Sequence, residues 1–180
     1  MKGQAIMKRM GTAWLALVLV LTAGSGPALA HGEKDQDQHK AGDAALKREQ
    51  TAWGIAGTAK DVKRTIRIRM DDRMRFSPSH IRVREGETVK FVIDNHGRLL
   101  HEMVIGTKQI LDEHAQLMMK FPNMEHDEPH MAHVAAGKRG AIIWTFNRPG
   151  DFDYACLIAG HYQAGMRGTI RVSPAKGAKP

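Results

Sequence analysis

The sequence has a single cysteine, Cys156, so no disulfide can form within the chain. Exported proteins normally carry cysteines in pairs, and a free thiol in an oxidising compartment is oxidised unless it is buried or bound to a metal. The chain also lacks internal repeats, zinc-finger spacing and a basic helix with interleaved aromatic residues. These absences exclude a disulfide scaffold and predict no nucleic-acid partner.

Long apolar runs are also lacking, apart from one near the N terminus, Gly11 to Ala23. This run is shorter than the roughly 20 residues that a membrane-spanning helix needs. It follows a basic start and precedes the small-x-small sequence Ala28-Leu29-Ala30, which is typical of a secretory signal peptide. We therefore expect residues 1–30 to be a cleaved signal peptide, and the mature protein to be periplasmic without stable membrane insertion.

Residues 31–60 are polar, charged and rich in Gly and Ala, with few sizeable apolar residues. Such a segment buries too little surface to fold alone, so we predict a flexible N-terminal arm whose end Trp53 pins to the domain. Removing residues 1–30 would lower the net charge from +8 to about +5, because three of the 27 Lys and Arg residues and no acidic residue lie there. That moderate charge suits a solvated surface.

The remaining residues, 61–180, have the pattern of short strands. Apolar and basic residues alternate with period two at 65–70 and 81–84, as in half-buried strands. Further β-rich runs, separated by Gly, Pro and Asn turns, lie at 88–93, 103–105, 141–146, 152–156 and 168–172. The spacing predicts an all-β sandwich, with a helical, His/Met-rich insertion at 109–133.

Cys156, His161 and Met166 lie on one predicted loop between two strands, with four residues between successive members. A thiolate, an imidazole and a thioether on a tight loop suit copper, because soft sulfur stabilises Cu(I) and a weak axial thioether tunes the potential. A second histidine must come from elsewhere, and His101 lies just before a predicted strand. Taken singly, Cys156 and Met166 would be ordinary core residues.

The same residues, together with Asn95, which is separated from His101 by five residues, make 63–174 resemble the cupredoxins, the plastocyanin/azurin-like type 1 copper proteins. The resemblance implies a Greek-key β-sandwich. It also implies three strong ligands, His101, Cys156 and His161, and an axial ligand, Met166. In this family the residue matching Asn95 ties the two ligand loops together by hydrogen bonds.

The chain is most similar to a periplasmic copper-tolerance branch of the cupredoxins. The residues that carry this likeness are His101-Glu-Met-Val, Glu113-His-Ala, Met118-Met119, Met124-Glu-His126 and the segment from Ala155 to Met166. Members of this branch are implicated in survival in excess copper. The resemblance therefore implies copper ions as the main partner.

Seven sulfur and imidazole side chains fall within sixteen residues, and they predict a second copper site: Met118, Met119, Met124, His126, His130, Met131 and His133. The alternative is that the methionines are core and the histidines are solvated. A third candidate is His31, which would become the N-terminal residue after cleavage. Its α-amine and imidazole could then chelate Cu(II) together.

Two functions fit these sites. In one, the protein binds copper, cycles Cu(II)/Cu(I) and serves copper tolerance; in the other, it is a soluble one-electron carrier with a periplasmic redox protein as partner. The His/Met-rich stretch favours the first, because a carrier needs no additional soft ligands. A multicopper oxidase would need His-x-His pairs, and the sequence has none. A binuclear copper site would need two bridging cysteines, and the sequence has one. We therefore expect a copper-binding redox protein rather than an enzyme.

Overall fold

The computed structural model describes residues 48–124, 126–175 and 177. These residues belong to one compact unit, 41–180. The predicted signal peptide and His31 lie outside the described residues. The elements are β1 (Ile55–Ala56), a 3-10 turn (Ala59–Asp61), β2 (Arg64–Asp71), β3 (Arg75–Ser77), β4 (His80–Arg84), β5 (Glu87–Asn95), β6 (His101–Gly106), α1 (Lys108–Lys120), β7 (Met131–Val134), β8 (Arg139–Phe146), β9 (Gly150–Ala155) and β10 (Arg167–Ser173).

The strands form two five-stranded sheets, which confirms the predicted β-sandwich. The first sheet has the order β1-β8-β5-β2-β3 and the second the order β4-β10-β9-β6-β7. Strands β2 and β5 are parallel, as are β4 and β10, whereas the other pairs are antiparallel. Because strands that are distant in sequence are neighbours in each sheet, both sheets contain strands from the first and the second half of the domain.

Period-two alternation explains how the strands build the core. In β10 every second residue is buried, and in β2 Ile68 and Met70 are buried between exposed arginines. The buried faces meet between the sheets, where Trp144, Tyr154 and Phe146 are almost completely inaccessible. Burying each such side chain contributes about 1.5–3 kcal/mol to folding.

The structure differs from the predicted arm between residues 48 and 60. Here β1 pairs with β8, and Trp53 is buried while its carbonyl accepts a hydrogen bond of 3.0 Å from the Trp144 indole N–H. Edge pairing and one large apolar side chain hold this polar segment on the domain. Residues 48–60 therefore pack on the domain and Trp53 pins them there, as expected, whereas residues 31–47 lie outside the described ones.

Helix α1 covers the outer face of the second sheet. It begins after Thr107, whose hydroxyl accepts the backbone N–H of Ile110 at 3.3 Å, as an N-cap does. Its buried residues are Leu111, Ala115 and Met118, which share one face. They pack on Val104 and Ala155 of the sheet and on Leu157, which follows β9. The described part of the chain contains no helix with the length and apolarity that crossing a membrane requires.

Strand β6 is consequently covered on both faces, and all six of its residues are buried. Met103 and Ile105 point into the core between the sheets, whereas Val104 points toward the helix. Because successive strand residues alternate faces, His101 lies on the inner face and Glu102 on the helix face. His101 and Glu102 therefore point to different sides of the second sheet.

Candidate metal centre

The four predicted ligands lie at one end of the second sheet. His101 is the first residue of β6, Cys156 follows β9 and Met166 precedes β10. The backbone N–H of Cys156 donates to Met166 O at 3.0 Å, and that of Met166 donates to His161 O at 3.1 Å. These bonds close the loop and bring its three candidate ligands to the strand ends.

The structure brings together the thiol and the two imidazoles. Nδ1 of His161 lies 3.3 Å from Cys156 Sγ and 3.2 Å from His101 Nδ1. One ligand atom from each of these residues falls within 4.8 Å of the other two. His101 and Cys156 are buried and His161 is partly exposed. Met166 is completely buried in the core cluster that also contains Cys156.

The electrostatics of this cluster suit a cation. Burial raises the pKa of the Cys156 thiol to about 12, so the thiol keeps its proton near neutral pH in the absence of a positive charge. Burial, and next the neighbouring His101, lower the pKa of His161, which favours the neutral imidazole. Two imidazoles and one thiol that only a cation would deprotonate form a donor set that fits copper.

An aspartate that the sequence did not indicate orients His101. Asp72, in the turn after β2, places Oδ1 3.1 Å from His101 Nε2 and accepts the backbone N–H of Arg98 at 2.9 Å. The Arg98 N–H is the main reason why the pKa of Asp72 lies below its ordinary value. A carboxylate can only accept a hydrogen bond, so Nε2 carries the hydrogen and the lone pair of His101 is on Nδ1, facing Cys156 and His161.

Glu102 links the two ligand loops. Its backbone N–H donates to Cys156 Sγ at 3.5 Å, and its Oε1 accepts the backbone N–H of Leu157 at 2.7 Å. The sequence contained a signal for this residue, since a glutamate in an otherwise apolar strand needs a specific partner when buried.

Asn95 differs from its predicted role. Its side-chain N–H groups donate to Leu99 O and Val134 O, both at 2.8 Å. These bonds brace the turn before His101 against β7. Within the described residues, the link to the Cys156–Met166 loop is made by Glu102 instead.

The predicted His/Met-rich site divides into two groups. Four of its members line one open cleft between helix α1 and the sheet edge, together with Glu102: Met118, Met124, His126 and His133. The other three lie elsewhere. Met119 is exposed on the helix, His130 packs edge-on against Trp53 and Trp144, and Met131 is buried under α1.

Comparisons with known proteins agree with this geometry. Residues 62–173 match the family described as copper binding proteins, plastocyanin/azurin family. The copper-resistant cuproprotein CopI of Rubrivivax gelatinosus is 44% identical over 158 residues, covering 88% of this chain and 92% of that protein. The CopI of Pseudomonas aeruginosa is 33% identical over 152 residues, covering 68% of this chain and 83% of that one.

Solved structures resemble this fold as well. A reduced auracyanin from Roseiflexus castenholzii has a TM-score of 0.55 and 19% sequence identity, covering 63% of this chain and 99% of its own. At this identity the likeness concerns the fold, and it confirms the architecture inferred from the strand pattern.

Proposed function

Because the chain belongs to the plastocyanin/azurin family of copper-binding proteins, we propose that it is a periplasmic type 1 copper protein that cycles Cu(II)/Cu(I) and serves copper tolerance. The observation that carries this proposal is the meeting of His101, Cys156 and His161 at one end of the sandwich. Similarity to proteins named copper-resistant cuproproteins supports the role in tolerance.

The proposed ligands are the Nδ1 atoms of His101 and His161, the thiolate of Cys156 and, as the weak axial donor, the thioether of Met166. Copper bound there supplies a centre that accepts and releases one electron. The protein holds the donors at nearly fixed positions, because strand ends and loop hydrogen bonds position each of them. Little rearrangement is then needed when the charge changes.

Two residues support the donors electrostatically. The backbone N–H of Glu102 points at Cys156 Sγ and stabilises negative charge on sulfur. Asp72 holds the His101 ring by its outer nitrogen. Both act on the donors and neither needs to contact the metal.

The proposed location rests on the sequence of residues 1–30, which we take as a cleaved signal peptide. Copper ions are the proposed partner. The partial exposure of His161 favours a second candidate function, a one-electron carrier, since this imidazole edge offers a periplasmic redox protein a route to the centre.

Replacing Cys156 tests the proposal and separates the two functions. Oxidised, copper-loaded wild type is expected to absorb strongly in the visible range from thiolate-to-copper charge transfer, and Cys156→Ser to lose this band. Cells whose only copy of the protein is Cys156→Ser should grow worse in excess copper than cells with wild type. The control is His80→Ala/His96→Ala, which alters two exposed histidines that belong to neither ligand cluster and should grow like wild type. A colourless wild type would refute the type 1 centre. Normal growth of Cys156→Ser would favour the electron carrier.

A further inference from the structure

Glu102 has a buried carboxylate, and only groups outside its own strand can bind the carboxylate oxygens. The residue is completely inaccessible to solvent, and its Oε1 accepts a hydrogen bond from the backbone N–H of Leu157. Among the described residues, no group meets the geometry of a hydrogen bond to Oε2. A buried carboxylate oxygen that is not hydrogen-bonded is costly, so the group that lies beside Oε2 decides how it is stabilised.

His133 lies beside this oxygen. Glu102 and His133 are register partners in the β6–β7 pair, and Nε2 of His133 is 2.7 Å from Glu102 Oε2. The contact has the distance of an ion pair but not the angles of a hydrogen bond. A nitrogen and a carboxylate oxygen so close together can bind one cation between them.

His126 completes the cluster from the loop after α1. Its Nδ1 lies 3.1 Å from Met124 O, and because a carbonyl can only accept, Nδ1 carries the proton. The lone pair is then on Nε2, which is buried and, in the described part of the chain, has no hydrogen-bond partner. Metal-binding histidines typically donate their other N–H to such a carbonyl.

We propose that Glu102, His126 and His133 form a second copper site, distinct from the centre at Cys156. Ligand atoms of these three residues lie within 4.8 Å of one another. Two imidazoles and a carboxylate suit Cu(II), and the thioethers of Met118 and Met124, which line the same cleft, suit Cu(I). The site opens to solvent through a cleft of about 780 Å³, which admits a hydrated ion.

The two sites occupy opposite faces of one strand. His101 faces the core between the sheets and its neighbour Glu102 faces the helix, where His126 and His133 lie. Since no ligand is shared, the second site does not depend on the type 1 assignment. Its copper is cargo that enters from solvent, a role that a plain electron carrier does not require.

Copper counting on the full chain tests the site. Wild type, His126→Ala/His133→Ala and the control His80→Ala/His96→Ala, which removes the same number of histidines, are loaded with excess copper(II) chloride. Each is then dialysed against a weak chelator. We expect wild type and control to retain equal copper and the His126/His133 variant to retain one ion fewer per chain. The visible band of the Cys156 centre should be unchanged in all three proteins. The electron paramagnetic resonance signal of the second Cu(II), with coupling to the nitrogens of His126 and His133, should be lost from the His126/His133 variant alone.

A second variant, Glu102→Gln, guards against misfolding as the cause. It keeps an oxygen to accept the Leu157 N–H and removes only the charge, and it should also lose the ion while its circular dichroism stays that of wild type. Equal copper in wild type and either folded variant would overturn the second site. If the His126/His133 variant lost the visible band but retained as much copper as wild type, the second site would be overturned, and the assignment of the band to the Cys156 centre would also be wrong.

Discussion

Nε2 of His101 lies 3.1 Å from Oδ1 of Asp72, although the two residues are 29 positions apart in the chain. The aspartate is itself held by the backbone N–H groups of Arg98 and Leu99, which lie just before β6. The turn after β2 and the loop before β6 therefore position the His101 ring together. Such support sets both the tautomer and the direction of the ligand lone pair.

Removing this carboxylate should weaken copper binding. We expect Asp72→Ala to lower copper affinity at the type 1 centre about 10- to 100-fold, the usual effect of losing a residue that orients a metal-binding histidine. Competition with a Cu(II) chelator, followed by the visible band, measures this. Asp71→Ala is the matched control, because Asp71 is the adjacent carboxylate and pairs with the exposed Arg73. Equal affinity in both variants would mean that Asp72 does not position His101.

Copper binding should release a proton from Cys156. The pKa of its buried thiol is about 12, so between pH 7 and 9 the metal-free protein holds this proton, whereas the metal ligand is the thiolate. Adding Cu(II) to weakly buffered metal-free protein should therefore acidify the solution by about one proton per type 1 centre. The measurement is a pH titration, with Cys156→Ser as control. The same proton release from Cys156→Ser would show that other groups supply it.

The site contains residues that the sequence predicts, such as Cys156, and residues that it does not predict, such as Asp72. Cys156, His161 and Met166 could be predicted because one loop places them at fixed spacing. Asp72 could not, since no local pattern connects a turn aspartate with a histidine in another sheet. Glu102 was quoted in the family likeness, but its role depends on pairing between β6 and β7, which appears only in the folded structure.

The strands also differ in whether the sequence predicts them. Alternating strands such as β2 and β4 were predicted from period two, whereas β1, β3 and β7 were not. These strands have two to four residues, too few to show a period, and their pairing partners define them. Tertiary contacts, not local preference, set their positions.

Replacing Trp53 tests whether its side chain holds residues 48–60 on the domain. Its side chain is only 6% exposed, so Trp53→Ala is expected to lower the free energy of unfolding by about 3 kcal/mol through the cavity it leaves. Urea denaturation measures the change, and Lys60→Ala, at an exposed residue of the same segment, should shift it by about 0.5 kcal/mol or less. A loss below about 1 kcal/mol for Trp53→Ala would restore the flexible arm.

Met166 is the proposed axial ligand, and its replacement should change the reduction potential while copper is retained. A thioether is a weak donor that stabilises Cu(II) slightly, so removing it from the site makes Cu(I) relatively more favourable. We expect Met166→Leu to keep the visible band and to raise the potential measured by voltammetry. Met70→Leu is the matched control, because Met70 is also completely buried in the inter-sheet core and should leave the potential unchanged. A lowered or unchanged potential in Met166→Leu, with copper still bound, would show that the thioether does not reach the metal.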